Sequence, residues 1–295
     1  MHVGGISFTF LGTGAPPVSL RRAGPAHLVR TANQTVLIDC GARVSHQLVE
    51  AGIKAATIDA LIVTHLHSDH IVDFYQLVIS SWHQGRNRPW RVIAPQPVLT
   101  ALRAIYTAFA SERDLRVTFE QRPSSTGLEV QFEELLPGEL QGFGDLAITA
   151  FEVDHAPVAP AFGLSFSHGP HRIVFSGDTR PCNSLERAAK DADLLVCEVY
   201  VEREMPIVTG LRSAETVQAV KSYHMTPIDI AALATNTGVK ALALTHIVPP
   251  SAETALLIAD VRQGGYGGPA MVGEDLMTLA LPERTMQWRG LSATF

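Results

Sequence analysis

Cysteine occurs only three times in the 295 residues, at Cys40, Cys182 and Cys197, and no two of them form a CxxC pair. A disulfide framework is thereby excluded, and the odd number reads as reduced or incidental thiols. Lysine is scarce, and 23 basic residues against 29 acidic ones leave a formal net charge of -6. That balance argues against broad, non-specific nucleic-acid binding and leaves room only for a local basic patch. No apolar run reaches membrane-spanning length, so no membrane partner is expected. Residues 1–20 lack a basic segment followed by a long apolar one, and a cytoplasmic location is expected. No low-complexity linker divides the chain, which is read as one domain over residues 1–295. A GxSxG element is also missing, and nothing suggests a covalent serine or cysteine route.

What is present suits a packed core. The hydrophobic fraction is 46% and the mean hydropathy +0.14, which exclude disorder as the overall class. Apolar runs predict strands at 6–12, 35–41, 58–63, 91–95, 146–153, 162–167, 172–179, 194–199, 239–246 and 275–281. Helices are expected over 43–51, 71–79, the segment following 95 to about 109, 213–221, 226–236 and 251–261. Short strands and turns are expected in 111–145. Strands and helices mix throughout, so the class is α/β, with helices covering the outer faces of sheets.

The motif THLHSDHI, residues 64–71, follows an apolar strand. His65 and His67 alternate by two, so an extended segment can aim both rings at one point. Asp69 and His70 continue the same turn. In the plainer alternative, Ser68 or Asp69 merely caps the next helix, which leaves three neighbouring histidines unexplained. His155, Asp178 and His246 each stand at the end of an apolar segment. Together these residues can complete two sites rich in nitrogen and oxygen, suited to zinc, with iron or manganese as alternatives.

The segments LGTGAPP, TVLIDCG, THLHSDH, SGDT, ADLLVCEVY and ALTH resemble the metallo-β-lactamase superfamily, and within it the ribonuclease Z and arylsulfatase-like branch. The resemblance spans most of residues 8–249. It implies a four-layer αββα sandwich and a zinc-dependent hydrolase with a dinuclear centre. One metal would be held by His65, His67 and His155, the other by Asp69, His70 and His246, with Asp178 bridging both. Asp39 is expected to steady a ligand or the motif loop. A hydroxide bridging the two metals would be the nucleophile, with Asp69 orienting it or accepting its proton. His224 lies in SYHMTPID, which resembles a ribonuclease Z segment, although Met225 stands where that family has serine. It is expected to donate to the phosphoryl or leaving oxygen, and Glu198 to orient it. Thr226 and Pro227 read as the cap and first position of the following helix.

Ribonuclease Z also carries a Gly- and Pro-rich arm that grips transfer RNA, and residues 156–177, between His155 and Asp178, leave no room for one. Arg86, Arg88 and Arg91 beside Trp82 and Trp90 read as a solvated loop or pocket wall. The expected substrate is therefore a small phosphodiester, sulfate ester or related organic ester. The alternatives are transfer RNA 3′ processing, lactone or amide hydrolysis, and a non-catalytic, metal-stabilised interaction protein. Trp82, His83 and Phe162 are expected to line an apolar part of the pocket, and a homodimer is expected.

Overall fold

Alternation along the first strand sets the layering. A computed structural model describes residues 5–295, so the first four residues of the segment read for a leader lie outside it. In β1 (Ile6–Gly12), Ile6, Phe8 and Phe10 join one buried cluster and Leu11 another, as a two-residue period requires. The first half continues through β2 (Ala26–Arg30), β3 (Thr35–Ile38), α1 (Val44–Glu50), β4 (Ala60–Ile62), α2 (Phe74–His83), β5 (Trp90–Ala94), α3 (Gln96–Ala108), α4 (Ala110–Glu120) and β6 (Val130–Glu134). Next come β7 (Gly138–Leu140), β8 (Ala147–Val153), β9 (Ala161–His168), β10 (His171–Phe175), α5 (Asn183–Ala189) and β11 (Leu194–Tyr200). The chain ends with α6 (Ala214–Lys221), α7 (Pro227–Thr237), β12 (Leu242–Val248), α8 (Leu257–Gln263), β13 (Ala270–Val272), β14 (Thr278–Leu281), β15 (Thr285–Trp288) and β16 (Leu291–Thr294).

Two sheets form, ordered β16-β15-β14-β1-β2-β3-β4-β5-β6 and β13-β12-β11-β10-β9-β8-β7. Their inner faces share a core in which Phe8, Val36 and Ile62 join Ile148, Phe166 and Val196. Leu48, Leu77 and Leu102 of α1, α2 and α3 cover the outer face of the first sheet. Leu185, Ile230 and Leu257 of α5, α7 and α8 cover that of the second. The result is the four-layer αββα sandwich. Each fully buried side chain of this size contributes roughly 1.5–3 kcal/mol by leaving water.

Several elements differ from the sequence reading. Residues 110–120 form α4, where strands and turns were expected. Leu115, Val117 and Phe119 alternate like a strand, yet all three are exposed, and Arg116 pairs with both Glu112 and Glu120 one turn away. Ion pairs at helical spacing support a helix that buries no side chain. The helix expected at 71–79 begins only at Phe74, because residues 68–70 form a tight 3-10 turn. His246 does not end its strand: β12 runs on to Val248.

Candidate metal centre

The loops after β3, β4, β8 and β10 converge on one edge of the sandwich. After β3, Asp39 takes a positive φ of 57° and donates its N–H to the Ile62 carbonyl at 2.8 Å. Cys40 N–H reaches the His70 carbonyl at 2.7 Å, which docks the motif loop against this turn. His155 follows β8 and Asp178 follows β10. In β11, Leu194 and Val196 face the inter-sheet core, and the same alternation turns Glu198 inward at the strand's end. In β12 the alternation would do the opposite. Leu242 and Leu244 face the helix layer, and His246 has their parity. A β-bulge corrects this: Glu198 pairs with Thr245 and Val199 with Ile247, leaving His246 unpaired with φ 42°. The extra residue re-aims its side chain.

Two donor groups result. His65 Nε2 and His155 Nε2 lie 3.0 and 3.3 Å from His67 Nδ1. Nitrogens on a tetrahedral ion with bonds of about 2.0–2.1 Å would be about 3.3 Å apart. Asp69, His70 and His246 form the second group, with Asp69 Oδ2 3.6 Å from His70 Nε2 and 3.4 Å from His246 Nε2. Asp178 Oδ2 stands between the groups, 3.2 Å from His246, 3.5 Å from His70, 3.7 Å from His65 and 3.9 Å from His155, each at Nε2.

The far side of each ring tells which nitrogen is free. His65 Nδ1 meets Thr64 Oγ1 at 3.0 Å, His155 Nδ1 donates to the Tyr223 carbonyl at 2.9 Å, and His70 Nδ1 meets Asp39 Oδ2 at 2.8 Å. Asp39 Oδ1 also accepts from Thr64 N at 2.8 Å, so one buried carboxylate steadies both the loop and a ring. Such contacts fix tautomer and orientation and leave Nε2 to the centre. Buried atoms without a hydrogen-bond partner gather here: both Asp69 oxygens, Asp178 Oδ2, His70 Nε2 and both His246 nitrogens. A buried polar group left unpaired costs about 1–3 kcal/mol, and so many in one place fit cation-binding residues.

Electrostatics agree. Burial, with the neighbouring histidines, holds His65 well down and His67 at about 4, so both rings are neutral at physiological pH, the form that can bind a cation. Burial opposes charge on Asp178, yet His246 and His70 keep its carboxyl well below the usual range. His70 is lowered by burial but raised more by Asp39, Asp69 and Asp178. The carboxylates demand positive charge at this point.

A family model described as the beta-lactamase superfamily domain matches residues 34–247. The chain belongs to the metallo-β-lactamase superfamily. Within the superfamily it is homologous to ribonuclease Z proteins. It is 34% identical to the Ribonuclease Z of Mycobacterium sp. (strain KMS) over 250 residues, 84% of this chain and 86% of that one. It is 33% identical to the Ribonuclease Z of Mycobacterium bovis (strain BCG / Pasteur 1173P2) over 277 residues, 92% of this chain and 96% of that one. Among solved structures, the metallo-beta-lactamase fold protein YhfI from Bacillus subtilis superposes with TM-score 0.70 at 19% identity, covering 94% of this chain and 99% of that one. The short form of human tRNase Z gives 0.67 at 21% identity, with the same coverage. These two likenesses speak for the fold.

Beside the superfamily cluster, His224 sits between α6 and α7. Its Nδ1 meets Glu198 Oε2 at 2.8 Å, and Glu198 Oε1 also accepts from Thr179 N at 2.8 Å. Thr226 and Asp229 form a capping box that starts α7 at Pro227, and the Met225 carbonyl accepts from Tyr200 N at 2.8 Å. Those contacts hold the His224 loop rigidly. A His224 donor atom lies within 4.8 Å of those of Asp178 and His246. Burial lowers His224, and burial with the Asp178 charge lifts Glu198.

The expected pocket wall is corrected. Trp82 packs into the helix–sheet core and gives its Nε1–H to the Ser124 carbonyl at 2.8 Å. Phe162 lies in the core between the sheets. His83 ends α2 beside Glu120, 3.5 Å away. Helix and strand periodicity turned the Trp82 and Phe162 side chains into the core, although the Phe162 N–H still donates to the Thr64 carbonyl at 3.2 Å, and His83 stays exposed. Arg88 and Arg91 are paired with Asp59 and Glu133, and Arg86 is buried against backbone carbonyls. Two contributors went unread in the sequence: Thr64, which could have been noticed as a hydroxyl beside a ligand, and Tyr223, whose backbone carbonyl carries no sequence signal.

Proposed function

We propose that this chain is a two-metal phosphodiesterase of the ribonuclease Z kind, cutting RNA at the 3′ side of a precursor transfer RNA. The observation that carries this reading is the His224–Glu198 pair beside the donor groups, in a chain one-third identical to ribonuclease Z nearly end to end. Divalent cations held there, zinc by donor set with manganese or iron as alternatives, would supply Lewis acidity and a hydroxide nucleophile near neutral pH. Asp178 spans the two donor groups. Asp69, whose Oδ2 faces His246 and His70 and whose Oδ1 has no hydrogen-bond partner, accepts the proton of the attacking water. His224 is held at Nδ1 and turns Nε2 to donate to the phosphoryl or leaving oxygen. Glu198 keeps that ring in one orientation.

A second reading, a small phosphodiester or sulfate ester, is favoured by one feature. Gly169 and Pro170 alone join β9 to β10, so nothing arm-like grows between His155 and Asp178. The alignment to the M. bovis protein spans 96% of its length, so an arm-sized insertion does not separate the two chains.

Zinc-loaded protein is given precursor transfer RNA with a 3′ trailer, or bis(p-nitrophenyl) phosphate. Specific 3′ cleavage is expected, with His224→Ala slowing it roughly 10²–10⁴-fold while both metals stay bound. Fast diester turnover beside uncut RNA would shift the assignment to the second reading. Undiminished turnover by Asp178→Ala would sink both.

A further inference from the structure

His246 is held differently from three of the other ligand-type histidines. His65, His70 and His155 each have the ring nitrogen remote from the cluster tied to the protein, whereas His246 Nδ1 has no hydrogen-bond partner among the described residues. Its direction therefore depends on its backbone, and that backbone is in the left-handed region at φ 42°. A non-glycine residue there is disfavoured unless its surroundings impose the conformation.

The surroundings are specific. On one side β11 pairs through the bulge. On the other, β13 accompanies β12 only as far as Leu244, where Gly273 N–H donates to the Leu244 carbonyl at 2.7 Å. Beyond that point the partner strand is gone. Ile247 N–H, immediately after the bulge, donates instead to the Thr13 carbonyl at 2.9 Å. Thr13 belongs to the loop after β1, in the other sheet, and is itself held by two buried side chains, Asp275 and Arg22. Asp275 Oδ1 accepts from Thr13 N at 3.0 Å and from Thr13 Oγ1 at 2.8 Å. Asp275 Oδ2 accepts from Ala23 N at 2.7 Å and Gln47 Nε2 at 3.1 Å. Arg22 closes the assembly by donating to Thr13 Oγ1 and to the Gly273 carbonyl. All of these side chains are buried.

We propose that Asp275 is a positioning residue for the second donor group: through Thr13 it braces the bulge that aims His246. Four donors converge on its two oxygens, a demand that only a carboxylate meets in full. The inference rests on the two-metal reading of the site and adds that its two halves depend unequally on Asp275. Among the described residues, the His65, His67 and His155 group makes no hydrogen bond to this brace, whereas the Asp69, His70 and His246 group loses its aim without it.

Asp275→Asn keeps the shape but points an amide N–H2 at one pair of donors. Calorimetric titration of the metal-free protein with Zn2+ alone is expected to show two equivalents in the native chain. In the variant, one equivalent keeps its affinity and the other weakens at least about tenfold, the size of loss typical of residues that orient ligands. His246→Ala should weaken the same equivalent, and adding Asp275→Asn to it should weaken that equivalent no further. Thr13→Val, which keeps the backbone N–H bond to Asp275, should show a smaller loss of the same kind and serves if Asp275→Asn fails to fold. Two wild-type affinities with only a lowered Tm, or equal weakening of both equivalents, would overturn the proposal. A native chain binding fewer than two zinc ions would instead count against the two-metal reading itself.

Discussion

At the scale of single residues, metal chemistry admits few side chains, and His65, His67, Asp69 and His70 stand as candidate donors within one short motif. Three ring nitrogens owe their direction to Thr64, Asp39 and the Tyr223 carbonyl. Only Asp39 was legible among these, since an acid at a strand end stands out and a backbone carbonyl does not. His27 was not singled out at all. It is fully buried among Phe8, Phe10 and Phe175, with centroids 5.2, 5.6 and 5.1 Å away and neither ring nitrogen partnered among the described residues. Burial, then the charges of His70 and His246, hold it at about 3. The folded chain therefore keeps His27 neutral while the unfolded chain takes up a proton below about 6.5. Stability is fully present above that pH and falls as pH drops toward 3, by about 2 kcal/mol between pH 6.5 and 5. His27→Leu is expected to raise Tm, and more at pH 5 than at pH 8. An equal gain at both values would show that His27 does not set the acid response.

At the scale of elements, long apolar strands and capped helices were legible, as with β11 and the Thr226–Pro227 start of α7. The misses have local causes. Leu115, Val117 and Phe119 carry a strand-like period into a helix held by ion pairs. Residues 71–73 belong to the approach to α2 because the motif loop needs them to bring His70 back to Cys40. The turn after β3 shows how tightly that loop is docked. A Cβ on Gly41 would collide with the Asp69 carbonyl and with the backbone of Gly24 and Pro25. Gly41→Ala is expected to cost about 1–3 kcal/mol in urea unfolding, the usual scale of overpacking, and to weaken zinc binding as the loop is displaced. Wild-type zinc affinity in that variant would mean that the loop accommodates the methyl group without moving its ligands.

At the scale of the whole molecule, residues far apart in the chain form one charged cluster between two sheets that share a core. Carboxylates and histidines crowded there favour the folded state when a cation balances them. Treatment with a chelator is expected to lower Tm, and zinc at about 1,000 times its Kd to restore about 4 kcal/mol per site. A Tm indifferent to zinc would separate the cluster from metal binding. Among the described residues, no helix is long and apolar enough to cross a membrane.

By itself the sequence determined the α/β class, the superfamily and the residue types of the centre, because strand periods and ligand spacing are local properties of the chain. Only the tertiary structure decided which side of its strand His246 occupies. Alternation sends that residue to the helix layer, and a bulge, held between β11 and a loop from the other sheet, returns it to the centre. That choice depends on contacts between segments more than two hundred residues apart, which no local pattern records.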